Sequence, residues 1–112
     1  MRLYDVAHGR SGDKGNKANV GIIATDGDDY PFLRDLLTET YVARVFDEFL
    51  EEPGAESVDR YVLPEMKGLN FVLHGALDGG ASESLRTDRQ GKTLAAMLLR
   101  QEVGDEYEQY QK

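Results

Sequence analysis

The chain contains no cysteine, which excludes a disulfide framework, a thiolate metal site and a cysteine nucleophile together. Basic charge is scarce as well: 13 Lys and Arg stand against 21 Asp and Glu, for a net charge of -8. A field of that sign repels phosphate backbones and anionic membrane surfaces. No nucleic-acid or membrane partner is therefore expected, and an anionic ligand has to be held by a local arrangement of groups. No apolar run approaches the roughly 20 residues needed to span a bilayer. The opening Met1-Arg2-Leu3-Tyr4-Asp5 lacks the apolar stretch of a secretory signal, so a cytoplasmic location is expected. Neither an internal repeat nor a linker composition interrupts the sequence.

What is present describes one folded unit. A chain of 112 residues that is 40% hydrophobic and 30% charged can bury a single core and is too short for two. Leu3–His8 alternates and reads as a strand; Val20–Thr25, rich in β-branched residues, reads as a second, interior one. Apolar residues at Phe32, Leu33, Leu36, Leu37, Val42, Val45, Phe46, Phe49 and Leu50 recur at intervals of three and four, the pattern of an amphipathic helix. Asp29 is placed to cap it, with Pro31 in the first turn. Thr38-Glu39-Thr40 breaks the stripe, so one helix and two consecutive helices are both consistent with it. Val58–Leu63 and Leu69–His74 supply two further strands. Asp88 is placed to cap a last helix carrying Leu94, Ala95, Met97 and Leu98. The sum is an α+β fold: a two-layer sandwich with a four-stranded, mainly antiparallel sheet and helices on one face. The domain is expected over residues 1–103, with 104–112 as a polar tail that frays.

The segment GRSGDKGNKAN between the first two strands reads as an irregular loop. Its glycines, Gly9, Gly12 and Gly15, allow positive φ and let backbone N–H groups approach a ligand. Successive N–H groups of that kind make an anion nest, for which Arg10 and Lys14 supply charge. The same residues also suit a tight polar connection whose Ser, Asp and Asn bond their own backbone. His8, Ser11 and Asp13 have the residue types of a catalytic triad, although three positions in one loop rarely meet its geometry. His74 ends a strand; directed to a common edge with His8, it would make an acid–base pair, or a weak metal site with Asp13 or Asp78. The later RTDRQGKT is not a phosphate-binding Walker motif, because Arg86 stands where its first glycine is required.

Three segments, YDVAHGRSGDKGNKANVGIIA, LNFVLHGALDGG and SLRTDRQGKTLAAMLL, resemble the small, ferredoxin-like domain of the acyclic terpene utilisation protein AtuA, with RSGDKGN the most specific element. The resemblance runs from about Leu3 to Leu99. It implies a ferredoxin-like fold and a role in catabolism of branched or terpenoid acids handled as coenzyme A thioesters. The large AtuA domain is absent from this sequence, so the expected role is a small subunit that partners a larger AtuA-type chain, binds a CoA thioester with it, and forms a homo-oligomer when alone. Ligand contacts are expected from Arg10, Ser11, Gly12, Lys14, Gly15, Asn16, Gly79 and Gly80. Catalytic roles are expected from His8, Asp13 and His74, with no metal or cofactor. An independent acyl-thioester enzyme and a purely structural oligomerisation module remain open as alternatives.

Overall fold

The computed structural model describes residues 1–14, 17–47, 50, 54–74 and 92–111. Its strands are β1 (Ala7–Lys14), β2 (Lys17–Ala24), β3 (Val58–Leu63) and β4 (Gly68–His74), in the order β1-β2-β4-β3. All three pairings are antiparallel. Among the described residues the helices are α1 (Tyr30–Leu36), α2 (Glu39–Val45), α3 (Lys92–Leu99) and α4 (Gly104–Gln111). This is the expected α+β sandwich of a four-stranded sheet with helices.

Alternation along β2 sets the layers. Ala18, Val20, Ile22 and Ala24 are buried, whereas Lys17, Asn19, Gly21 and Ile23 are exposed or half-buried. Directly paired residues share a face of an antiparallel sheet, so the pairs Ala18–Leu73, Val20–Phe71 and Ile22–Leu69 form the core face. Against them pack Phe32, Leu33, Leu37, Val42, Phe46, Leu94, Leu98 and Val103 in one continuous cluster. Phe46 and Leu98 occupy the core positions expected of them; Phe49 and Asp88 lie outside the described residues.

The stripe between Pro31 and Leu50 resolves into two helices because Thr38 starts a new one, its hydroxyl accepting from Tyr41 N at 3.1 Å. Arg60 secures the junction: its Nε donates to the Leu37 carbonyl at 2.7 Å and its Nη2 to the Arg34 carbonyl. One β3 side chain thereby satisfies carbonyls at the end of α1, where helices leave acceptors unpaired.

Several local expectations are overturned. Leu3–Asp5 is a 3-10 turn rather than the start of a strand; its backbone is tied instead to the C-terminal region, Leu3 N donating to the Gln101 carbonyl and Val103 N to that of Met1, each at 2.9 Å. Asp29 makes no side-chain cap on α1. Its carboxylate accepts from the Tyr107 hydroxyl at 2.7 Å. The segment expected to fray is α4, held by Tyr107 edge-on to Phe32 at 5.0 Å, with Tyr110 at 5.7 Å. Aromatic packing of this kind and Asp105 and Glu106 in the first turn outweigh the polarity of the segment.

Two stability measurements follow from this layer. Phe46→Ala should cost about 3–5 kcal/mol in urea unfolding, since the ring is fully buried. Arg60→Met should cost roughly 2 kcal/mol by removing two charge-assisted bonds while keeping much of the packing.

Candidate functional site

Among the described residues the helices cover one face of the sheet and leave the other open. Rows across that open face follow from the register. The first is His8–Ile23–Gly68–Leu63, and the second Arg10–Gly21–Asn70–Tyr61. The third is Gly12–Asn19–Val72–Asp59. In the middle of this surface the glycines withhold side chains, and Asn19 Nδ2 donates to Asn70 Oδ1 at 3.1 Å. The result is an open trough of about 1060 Å³ that includes His8, Arg10, Asn19, Gly21, Asn70 and Tyr61 in its lining, with Ile23, Leu63 and Met66 supplying apolar surface. Tyr61 and Met66 are 50% and 55% exposed.

The segment read as an irregular loop is therefore mostly sheet. Gly9–Lys14 belongs to β1 and Lys17–Asn19 to β2, with Lys14 opposite Lys17. Gly15 and Asn16, between them, lie outside the described residues. Gly12 sits in a strand, so the backbone nest expected around it is not formed at that position; Gly12 instead lines the trough. β1 tolerates this composition because α3 packs closely on its core side. Ser11 Oγ accepts from Ala95 N at 3.3 Å, and a Cβ on Gly9 would fall 2.6 Å from the Gly21 carbonyl oxygen and 2.7 Å from Ile22 Cδ1. Small residues are what the space allows.

The register separates several residues that sequence alone grouped together. Ser11 and His8 belong to opposite faces of β1, so the serine–histidine pair of a triad is not assembled. His8 lies opposite Ile23 and His74 opposite Lys17, six residues apart along β2 and hence about 20 Å. They share neither a sheet edge nor a metal site. His74 is paired with Asp59 instead, Nε2 to Oδ2 at 2.7 Å. β1 and β4 run in the same direction, with β2 between them. The β1–β2 turn and the exit of β4 at His74 consequently fall at the same end of the sheet. Asp13 and Lys14 occupy the last positions of β1 at that end. Gly79 and Gly80 lie outside the described residues. Asn19, Asn70 and Tyr61 were missed as site residues. The signal for them was the paired alternation of β2 and β4, with a polar residue at the centre of each outward face.

The family model of the AtuA ferredoxin-like domain matches residues 1–104 of the 112. The chain belongs to this family. No curated protein and no solved structure matches it. Within this AtuA ferredoxin-like domain the described part of RSGDKGN, residues 10–14, is the outer part of β1, and Arg10 and Gly12 of it belong to the open face. No helix among the described residues is long and apolar enough to cross a membrane.

The glycines of β1 and β2 divide into two kinds, and substitution tells them apart. Gly9→Ala should cost about 1–3 kcal/mol because backbone and Ile22 stand in the way. Gly21→Ala, whose Cβ would meet Asn70 Oδ1 at an ordinary 3.6 Å, should leave the thermal midpoint unchanged or slightly raised, since a strand glycine is replaced without a clash.

Proposed function

We propose that this AtuA ferredoxin-like domain is the accessory part of an AtuA-type protein in catabolism of branched or terpenoid acyl-CoA compounds. It presents its open sheet face to a larger AtuA-type chain and contributes a ligand-binding surface to the joint site. One observation carries the reading. Among the described residues the helices and the core occupy one side of the sheet, while the other keeps a trough lined by half-exposed Tyr61 and Met66 and by Arg10. Among the described residues no carboxylate is paired with Arg10. An acidic protein that leaves a cation facing its own concavity is suited to an anionic ligand.

In this reading Arg10 and Lys14 contact the anionic part of the ligand. Gly12 allows the ligand close approach to β1, and Gly15, Asn16, Gly79 and Gly80, outside the described residues, are proposed as further ligand contacts. Asp13 orients Lys14 or a substrate hydroxyl. The domain works in the cytoplasm and self-associates through the same face when its partner is missing, because among the described residues that face and the outer edges of β1 and β3 remain uncovered. The independent-enzyme reading draws on the His74–Asp59 pair, which has the base and orienter of a hydrolytic site. Ser11, the nucleophile considered with His8 and Asp13, lies on the opposite, covered face and accepts from Ala95 N of α3, which favours the accessory reading.

Co-expression with a larger AtuA-type chain tests the proposal. The two chains should co-elute from gel filtration, and Tyr61→Asp should abolish co-elution while preserving the thermal midpoint. Co-elution unaffected by Tyr61→Asp, or a chain that stays monomeric and partnerless at high concentration by light scattering, would contradict it.

A further inference from the structure

Gly21 is the informative residue of the open face. A glycine inside a strand is unfavourable through entropy and the lack of a side chain to pack, so its presence asks for a reason. At Gly9 and Gly68 the reason is steric: a Cβ would fall 2.6 and 2.7 Å from backbone oxygens of β2. At Gly21 no such contact exists. The nearest atoms to an added Cβ are Asn70 Oδ1 at 3.6 Å and the Arg10 carbonyl oxygen at 3.9 Å. Packing among the described residues does not demand glycine there; keeping the floor of the trough clear for something else does.

The groups around that floor specify what fits. Asn19 and Asn70 spend one donor and one acceptor on each other. An asparagine amide carries both a carbonyl and an NH₂, so the couple retains one carbonyl and one NH₂. Exchanging the roles of the two amides leaves the same complementary set. Such a set matches a secondary amide, which offers one N–H and one C=O. On the β1 side of Gly21 stands Arg10 and on the far side Tyr61, in a single row. Ile23, Leu63 and Met66 adjoin it as the apolar end. The row spans three inter-strand spacings, about 14 Å.

We infer that the trough over Gly21 binds an extended chain carrying an anionic group, a secondary amide and an apolar acyl tail in that order. The anion lies against Arg10, the amide over Gly21 against the Asn19–Asn70 couple, and the acyl tail on Ile23, Leu63, Met66 and the Tyr61 ring. This deepens the accessory-domain reading and rests on it for the involvement of acyl compounds. S-acyl phosphopantetheine and N-acyl amino acids share the chemistry, and both are used as probes.

The experiment titrates the full chain with S-octanoyl phosphopantetheine, N-octanoylglycine and octanoate, followed by calorimetry and by ¹⁵N amide shifts. At least one amide-bearing probe should bind at least ten-fold more tightly than octanoate, with the largest shifts at Gly21, Asn19 and Asn70. Preference for the first probe identifies a pantetheine source, and preference for the second an N-acylated amino acid. Gly21→Val should weaken that binding at least ten-fold with its melt preserved. Asn70→Leu should remove the preference over octanoate, and it decides the matter if Gly21→Val does not fold. Octanoate binding as tightly as both amide-bearing probes, absence of binding by all three, or wild-type affinity in a folded variant overturns the inference. Co-elution with the larger chain, measured separately, still stands in those cases if only this inference has failed.

Discussion

The pairing of β2 on both of its sides is the constraint from which the rest of the molecule follows. With β1 along one edge and β4 along the other, each β2 side chain is committed to one of two faces. A slip of one residue would exchange Val20 and Ile22 for Asn19 and Gly21 in the core. The hydrophobic cost of that exchange pins the register, and the register in turn places Arg10, Gly21, Asn70 and Tyr61 in a row. The candidate site is thus a consequence of the same burial that stabilises the fold.

The two faces meet different demands. On the covered side the space between β1 and α3 is narrow, and Ala7, Gly9 and Ser11 are all small, with the Ser11 hydroxyl meeting the helix backbone. Toward β3 the space is wider and takes Phe71, Phe32 and Phe46. The helix layer is therefore closest to the sheet over β1 and thickest over β4 and β3. On the open side nothing in the described chain packs against Tyr61 or Met66, and the polar couple Asn19–Asn70 sits where a self-contained sheet would carry apolar or charged residues. Small residues thus answer a packing requirement on one face and leave usable space on the other.

The sequence was most legible where alternation was carried by large residues. Val58–Leu63 coincides with β3, and Leu69–His74 falls one residue short of β4. It was least legible in β1, where glycine and serine stand at positions that are normally branched. Gly9 answers to the closeness of Gly21 and Ile22 of β2, and Ser11 to the backbone of α3; both are tertiary facts with no local signature. One local signal did exist: Gly15-Asn16 between Lys14 and Lys17 is a composition that two-residue hairpins favour, and it implied strands on both sides of it. The C-terminal segment misled for a related reason. Its apolar face consists of Tyr107 and Tyr110 alone, too few for a periodic stripe, yet both rings meet Phe32. The pairing of His8 with His74 failed because β1 does not end at His8 but runs on to Lys14. His8 therefore stands at the start of β1, while His74 ends β4, which runs in the same direction.

The register of the three strands around Gly21 fixes both the core and the open-face row, and cross-strand nuclear Overhauser effects in a ¹⁵N,¹³C-labelled sample report it directly. Backbone contacts linking Arg10 with Gly21 and Gly21 with Asn70 are the predicted result. Contacts of Arg10 with Val20 or Ile22 in place of Gly21 would show a slipped hairpin, turn the row apart and contradict both the fold and the site built on it.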